Sequence, residues 1–236
     1  MLTFAAWEMG RLYRPLDINS SDAVTVAGAL AILITRAYYP EHATAALAIA
    51  TLVAMVVHMV TYERGRDRAA TDFAITIATL VYLGWVGAYL IDLRNLPGGF
   101  GWFLLTLIPV WVGDSSAFYF GRKFGKHKMT PRLSPKKSWE GYFASIIGGA
   151  IGAVLTALIL EYFGVLDVSL IHAGILGLLA GSLPTLGDLG ESMIKRQANI
   201  KDSGNLIPGH GGAFDRIDSW IWAGAIGFFY VTWFIL

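Results

Sequence analysis

Seven stretches of this chain are long and apolar enough, or nearly so, to cross a lipid bilayer, and that limits the fold more than any other feature. A helix rises about 1.5 Å per residue, so about 20 mostly apolar residues span the roughly 30 Å of hydrocarbon. The stretches lie near 23–39, 43–61, 71–91, 101–120, 142–163, 170–189 and 219–236. The first is the shortest, and the sixth carries Pro184 and ends in carboxylates. Apolar residues make up 55% of the 236 positions and charged ones only 15%, too few charges for an ordinary water-soluble enzyme. The expected fold class is all-α: a polytopic integral membrane protein of about seven transmembrane helices. Residues 1–100 form its N-terminal membrane helices, and 101–236 a C-terminal catalytic region with loops at 121–141 and 187–219. The segment 1–13 is too short and too polar, at Glu8 and Arg11, for a signal peptide. It reads as the tail of a helix lying at, or entering, the membrane.

Orientation follows from the basic residues. With the N-terminus cytoplasmic, the inside segments hold 16 of the 18 Lys and Arg residues, leaving Arg36 and Arg94 outside. That is the bias of the positive-inside rule. It predicts a multi-pass protein of the cell membrane with its site on the cytoplasmic face. A net charge of +1 supplies no basic field for nucleic acid, and the absence of Cys excludes thiolate metal sites and Cys nucleophiles.

The two long inside segments carry 11 of the 18 basic residues: GRKFGKHKMTPRLSPKKSWEG and GDLGESMIKRQANIKDSGNLIPGHGGAFDRIDS. Asp114 lies inside the fourth stretch, Asp188 and Glu191 end the sixth, and Asp215 and Asp218 precede the seventh. Ionisable groups at membrane depth are costly and usually face a polar cavity. Converging carboxylates without Cys or several His describe a hard-cation site, most naturally Mg²⁺ beside a phosphate-bearing substrate. Asp215 and Asp218 also fit the cap and first turn of the last helix, a reading that does not extend to Asp114 or Asp188. Gly209, Gly211 and Gly212 let backbone approach a ligand closely, and successive N–H groups in such a loop can cradle an anion. Lys195, Arg196, Lys201, Arg216, Lys136 and Lys137 flank these groups as phosphate-binding cations. Lys123, Lys126 and Lys128 read instead as topology determinants and lipid-headgroup contacts. His210 could ligate metal, bond phosphate or close a turn. Neither GxxxxGK[ST] nor GxGxxG occurs.

These residues resemble the phosphatidate cytidylyltransferases, or CDP-diglyceride synthases. The pattern S-x-x-K-R-x4-K-D-x-G-x-x-x-P-G-H-G-G-x-x-D-R-x-D is matched at all fourteen fixed positions between Ser192 and Asp218. Gly187-Asp188-Leu189, Ser134 to Gly141, and Asp114-Ser115 with Gly121-Arg122 resemble further motifs of that family. Ser138 stands where Thr is commoner, and Phe118 where an aromatic, often Tyr, is expected. Family members usually carry more hydrophobic sequence ahead of a segment like 7–13. The resemblance implies the reaction CTP + phosphatidate → CDP-diacylglycerol + pyrophosphate, dependent on Mg²⁺ and open to a second cation. It implies that Asp188 and Asp215 hold the metal, with Asp114 a further ligand or support. Lys195, Arg196, Lys201, Asp202, Arg216 and Asp218 are then catalytic. Ser134, Lys136, Lys137, Glu140, Ser192, Gly209, His210, Gly211 and Gly212 bind substrate. The implied partners are CTP and phosphatidate in the membrane, with no nucleic acid; a homodimer stays open. A kinase or cytidylyltransferase acting on another membrane lipid such as an isoprenoid, and more distantly a secondary transporter, are the alternatives.

Overall fold

The computed structural model describes residues 1–204 and 211–236. Among them all regular secondary structure is helical apart from one small hairpin. Helices α1 (Leu2–Arg11), α2 (Asp22–Tyr38), α3 (Ala43–Glu63) and α4 (Ala69–Thr79) lead into a π-helical segment, Leu80–Val86, and a short α5 (Tyr89–Asn95). The long α6 (Gly99–Phe124) follows, then strands β1 (Lys128–Thr130) and β2 (Ser134–Ser138). Helices α7 (Trp139–Tyr162), α8 (Leu170–Ser182), α9 (Pro184–Gln197) and α10 (Phe214–Phe234) complete the chain.

Among the described residues five helical stretches, not seven, are long and apolar enough to cross a membrane. These are Pro40–Glu63, Ala69–Asn95, Gly99–Phe124, Trp139–Tyr162 and Leu170–Gln197. The two remaining sequence stretches fall short for physical reasons. Ser21 caps α2 by accepting from Val24 N, so that helix is only 17 residues long. The last helix starts at Phe214, five residues ahead of its apolar stretch, and takes Asp215, Arg216 and Asp218 into its first turns. The hairpin also departs from a purely helical reading: β1 and β2 pair antiparallel, with Lys128 opposite Ser138 and Thr130 opposite Ser134. Large apolar side chains stay exposed along α3 (Leu52, Val56, Met59) and α7 (Ile147, Ile151, Leu155), the surface that hydrocarbon would cover.

The chain forms two compact units. The first comprises residues 1–91 and 194–217. Here α1 packs on α2, α2 on α3 and α3 on α4, with Ala29, Ile32, Leu80, Leu83 and Phe214 fully buried. An Arg66 guanidinium ties the α1–α2 connection to α4, bonding Asp17 at 2.7 Å and Asp72 at 2.6 Å.

The second unit comprises 92–193 and 218–236. Helices α6, α7 and α8 pack mutually around Trp102, Leu105, Ala153, Leu160, Leu176 and Val231. Lipid tails are as apolar as leucine, so membrane helices gain most where small residues let backbones touch. A Cβ on Gly149 would come within 2.7 Å of the Gly177 carbonyl, and one on Gly181 within 2.5 Å of that of Ser145. Those glycines permit the close approach of α7 and α8.

Candidate active site

In the second unit a cavity of about 700 Å³ opens between α6, the hairpin, α7 and α9, lined among others by Asp114, Arg122, Lys128, Lys136, Lys137, Ser138, Tyr142, Ser145, Thr185 and Asp188. Three local features build it. Ser138 ends β2 and caps α7, its Oγ accepting from Gly141 N at 3.2 Å. Gly121 and Gly141 bring α6 and α7 together: a Cβ on Gly141 would lie 3.0 Å from the Ala117 carbonyl. Glu140, in the first turn of α7, accepts from His127 N at 3.2 Å and pairs with its Nδ1 at 2.7 Å, clamping the start of the hairpin. The clamp turns Lys128, Lys136 and Lys137 to one cavity.

The carboxylates reach it from α6 and α9. Lys137 Nζ lies 2.7 Å from Asp188 Oδ2, and Asp188 keeps 40% of its side chain exposed. Ser192, one turn on, lies 3.4 Å from the other Asp188 oxygen, a long contact. Gly187 sets the position of Asp188, because a Cβ there would meet the Asp218 carbonyl at 2.5 Å and the Trp222 ring at 2.7 Å. The Gly before Asp188 thus lets α9 lie against α10. Asp218 itself is 9% exposed and interacts electrostatically with Asp188, Lys137 and Asp114. It does not cap α10: it sits four residues inside that helix, with Oδ1 accepting from Ser219 N at 2.6 Å. The helix-start reading belongs instead to Asp215, in the first turn.

In the first unit, Asp215 organises the residues around the signature motif. Its Oδ1 accepts from Lys195 Nζ at 2.6 Å; its Oδ2 accepts from Ser203 N, Ser203 Oγ and Gly212 N, each at 2.8 Å. Lys195 and Asp215 are 13% and 8% exposed. An ion pair this sheltered, with N–H donors completing the carboxylate, is held far more firmly than a surface pair. Gly211 has a φ of 81°, the left-handed region that favours glycine, with its Cα side against the Asp215 carboxylate. Arg196, Lys201, Asp202 and Arg216 are exposed. Gly209 and His210 lie outside the described residues.

Ser134 and Glu140 are not among the residues lining the cavity. Lys128, read from sequence as a lipid-facing cation, is. The sequence signal for it was the hairpin, since a turn at Pro131 between two short extended runs sends Lys128 back beside Ser138. Arg122 stands in the Gly121-Arg122 motif, and its cavity position follows from the end of α6. Glu8, which in the sequence only marks segment 1–13 as polar, is 2% exposed and accepts a hydrogen bond from Phe214 N.

Among the described residues no three His, Asp or Glu side chains are grouped to hold a metal by themselves. Asp114 and Asp188 do face one cavity, however, and Mg²⁺ commonly takes one or two carboxylates and completes its shell with substrate phosphate oxygens and water. The donor set fits such an ion.

The fold and site together define a polytopic helical membrane protein with a basic, carboxylate-bearing cavity suited to phosphorylated ligands. The model of the cytidylyltransferase family matches residues 1–234, and the chain belongs to that family. It is 46% identical over 143 residues to a phosphatidate cytidylyltransferase of Haemophilus influenzae, covering 58% of this chain and 48% of that protein. It is 37% identical over 148 residues to one of Bacillus subtilis, covering 62% and 53%. A third, of Pseudomonas aeruginosa, is 36% identical over 231 residues, covering 93% and 80%. The chain thus spans about half the length of the first two relatives.

Proposed function

We propose that this protein transfers CMP from CTP to phosphatidate, giving CDP-diacylglycerol and pyrophosphate, at the cytoplasmic face of the cell membrane. The observation that carries the reading is the cavity, where Arg122, Lys128, Lys136 and Lys137 surround Asp114 and Asp188. At about 700 Å³ it falls in the range of small-molecule sites. Four cations against two carboxylates suit a polyanion brought with a divalent ion. The names of the relatives supply the substrate pair, one soluble and one membrane-bound.

In this reading a phosphate oxygen of the lipid attacks the α-phosphorus of CTP. A new P–O bond forms as the bond to the bridging oxygen of pyrophosphate breaks. The nucleophile is already anionic, so the protein's work is positioning and charge neutralisation rather than proton abstraction. Lys136, Lys137, Arg122 and Lys128 hold phosphate oxygens. Lys137, 2.7 Å from Asp188, turns to phosphate on binding. Asp188 and Asp114 would hold Mg²⁺, which when bound would offset charge on the triphosphate and leaving group. Asp218 lies behind them and adds negative potential. Asp215, read from sequence as holding the metal together with Asp188, holds Lys195 and Ser203 in place within the first unit; the catalytic roles of Lys195, Arg196, Lys201, Asp202 and Arg216 rest on the sequence motif they share with its glycines.

The test is purified protein in mixed micelles with CTP, phosphatidate and Mg²⁺, scored for pyrophosphate and CDP-lipid. ATP, GTP and an isoprenoid phosphate serve as controls. Product with phosphatidate and CTP alone supports the reading. Product only with ATP, or only with the isoprenoid acceptor, overturns it in favour of another lipid-directed transferase.

A further inference from the structure

Glu8 is the most completely buried carboxylate of the first unit after Asp72, and it stands on α1, some 200 residues before the motif it touches. Its Oε2 accepts from Phe214 N at 2.9 Å and lies 3.1 Å from Ser203 Oγ. A Cβ on Gly204 would fall 2.5 Å from Glu8 Oε1, and one on Gly212 would fall 2.4 Å from Oε2. The carboxylate therefore sits on bare backbone on both sides of 205–210. Burying a carboxylate is costly without donors, so a merely structural contact at this place would be better served by an apolar side chain.

Ser203 joins Glu8 to Asp215. The same Oγ lies 2.8 Å from Asp215 Oδ2, and Asp215 holds Lys195. Glu8, Ser203, Asp215 and Lys195 thus form one chain of polar contacts within the first unit. Phe214, whose N–H Glu8 accepts, is fully buried and begins the helix carrying Asp215. Moving Glu8 moves the start of α10 and the Ser203 end together.

The geometry points to Glu8 as a positioning residue for the signature segment: through Phe214 N and Ser203 Oγ it fixes the register of Asp215 and Lys195. For the reaction it serves, this rests on the proposed CMP transfer. Glu8 touches no substrate. It acts by holding both flanks of the motif at one distance, and a misplacement of about 1 Å at such a site can cost about 10²-fold in rate. Oε2 makes the contacts with Phe214 N and Ser203 Oγ, so the carbonyl oxygen of Gln can replace it, whereas Ala cannot.

The experiment compares Glu8→Ala and Glu8→Gln with wild type in micelles, using kinetics per folded protein and hydrogen exchange over 201–204 and 211–216. Glu8→Ala should lose about 10²-fold in kcat/KM and exchange faster at both flanks, with α2 and α3 unchanged; Glu8→Gln should recover most of both. A purely structural Glu8 would lower the folded yield and leave kcat and KM of the folded fraction alone. That result, or unchanged exchange in Glu8→Ala, overturns the proposal. If Glu8→Ala does not fold, Ser203→Ala removes the hydroxyl between Glu8 and Asp215 while leaving Phe214 N bonded to Glu8 and Ser203 N bonded to Asp215. It should cost about tenfold in kcat/KM, and wild-type kinetics would overturn the proposal equally. If wild-type protein transfers no CMP, the functional reading fails, and the exchange data still decide the role of Glu8.

Discussion

Lys137 Nζ sits 2.7 Å from Asp188 Oδ2, joining the end of the hairpin to α9 inside the basic cavity. The pair is partly exposed, 24% and 40%, and so is held loosely enough to exchange partners when a ligand arrives. Asp188→Asn keeps the volume and removes the charge. It should lower turnover by about 10²–10³-fold, the usual cost of losing one preorganised electrostatic group. Lys137→Ala should raise KM for CTP or phosphatidate more than it lowers kcat. Steady-state kinetics across a Mg²⁺ titration checks both, and near-normal turnover of Asp188→Asn at every Mg²⁺ level would remove Asp188 from the site.

A second prediction separates the cations of the hairpin loop. Lys128 lines the cavity, whereas Lys123 lies over the Phe124 ring at 5.2 Å. Lys128→Ala should therefore weaken substrate binding by roughly tenfold, in the range of a charge-assisted hydrogen bond. Lys123→Ala should bind substrate as wild type does. Equal effects from both substitutions would mean that the loop acts through general positive charge.

Part of the candidate site is legible in the sequence because its residues stand in short contiguous motifs. Lys195, Gly212 and Asp215 stand in one motif and meet within the first unit. What escapes the sequence depends on contacts distant along the chain. Glu8 shares no motif with Phe214, and Lys128 looks like any basic loop residue until β1 folds back on β2. The apolar pattern locates the helices well, but it misplaces their starts where polar residues enter the first turns. Helix α10 begins at Phe214 because Gly212 N is bonded to Asp215, a contact hydropathy does not register.

Membrane orientation can be checked without background, since the chain has no Cys. Cys replacing the exposed Arg132, between β1 and β2, should react with an impermeant thiol reagent only from the cytoplasmic side. Cys replacing the exposed Asp167, between α7 and α8, should react only from the other side. Labelling of both from one side would contradict a membrane-spanning α7.

The Asp17–Arg66 contact predicts a pH signature of stability. The hydrogen bond from Arg66 holds the Asp17 carboxyl below its ordinary range, with the Arg66 and Arg68 charges adding to the effect. A depressed carboxylate stabilises the fold above its unfolded-state pKa, near 4, and that contribution fades as pH falls through the lowered folded value. Asp17→Asn should melt slightly below wild type at pH 7, and the two should converge in acid. Thermal unfolding at both pH values is the check; a gap that persists at low pH would assign the effect to something other than the charge of Asp17.

The most direct test follows the phosphorus of CTP. With CTP labelled at the α position, the account predicts label in the lipid phase, dependent on phosphatidate, and with CTP labelled at the γ position it predicts label only in soluble pyrophosphate. Label from the γ position in lipid would mean phosphoryl rather than cytidylyl transfer, and would contradict the account.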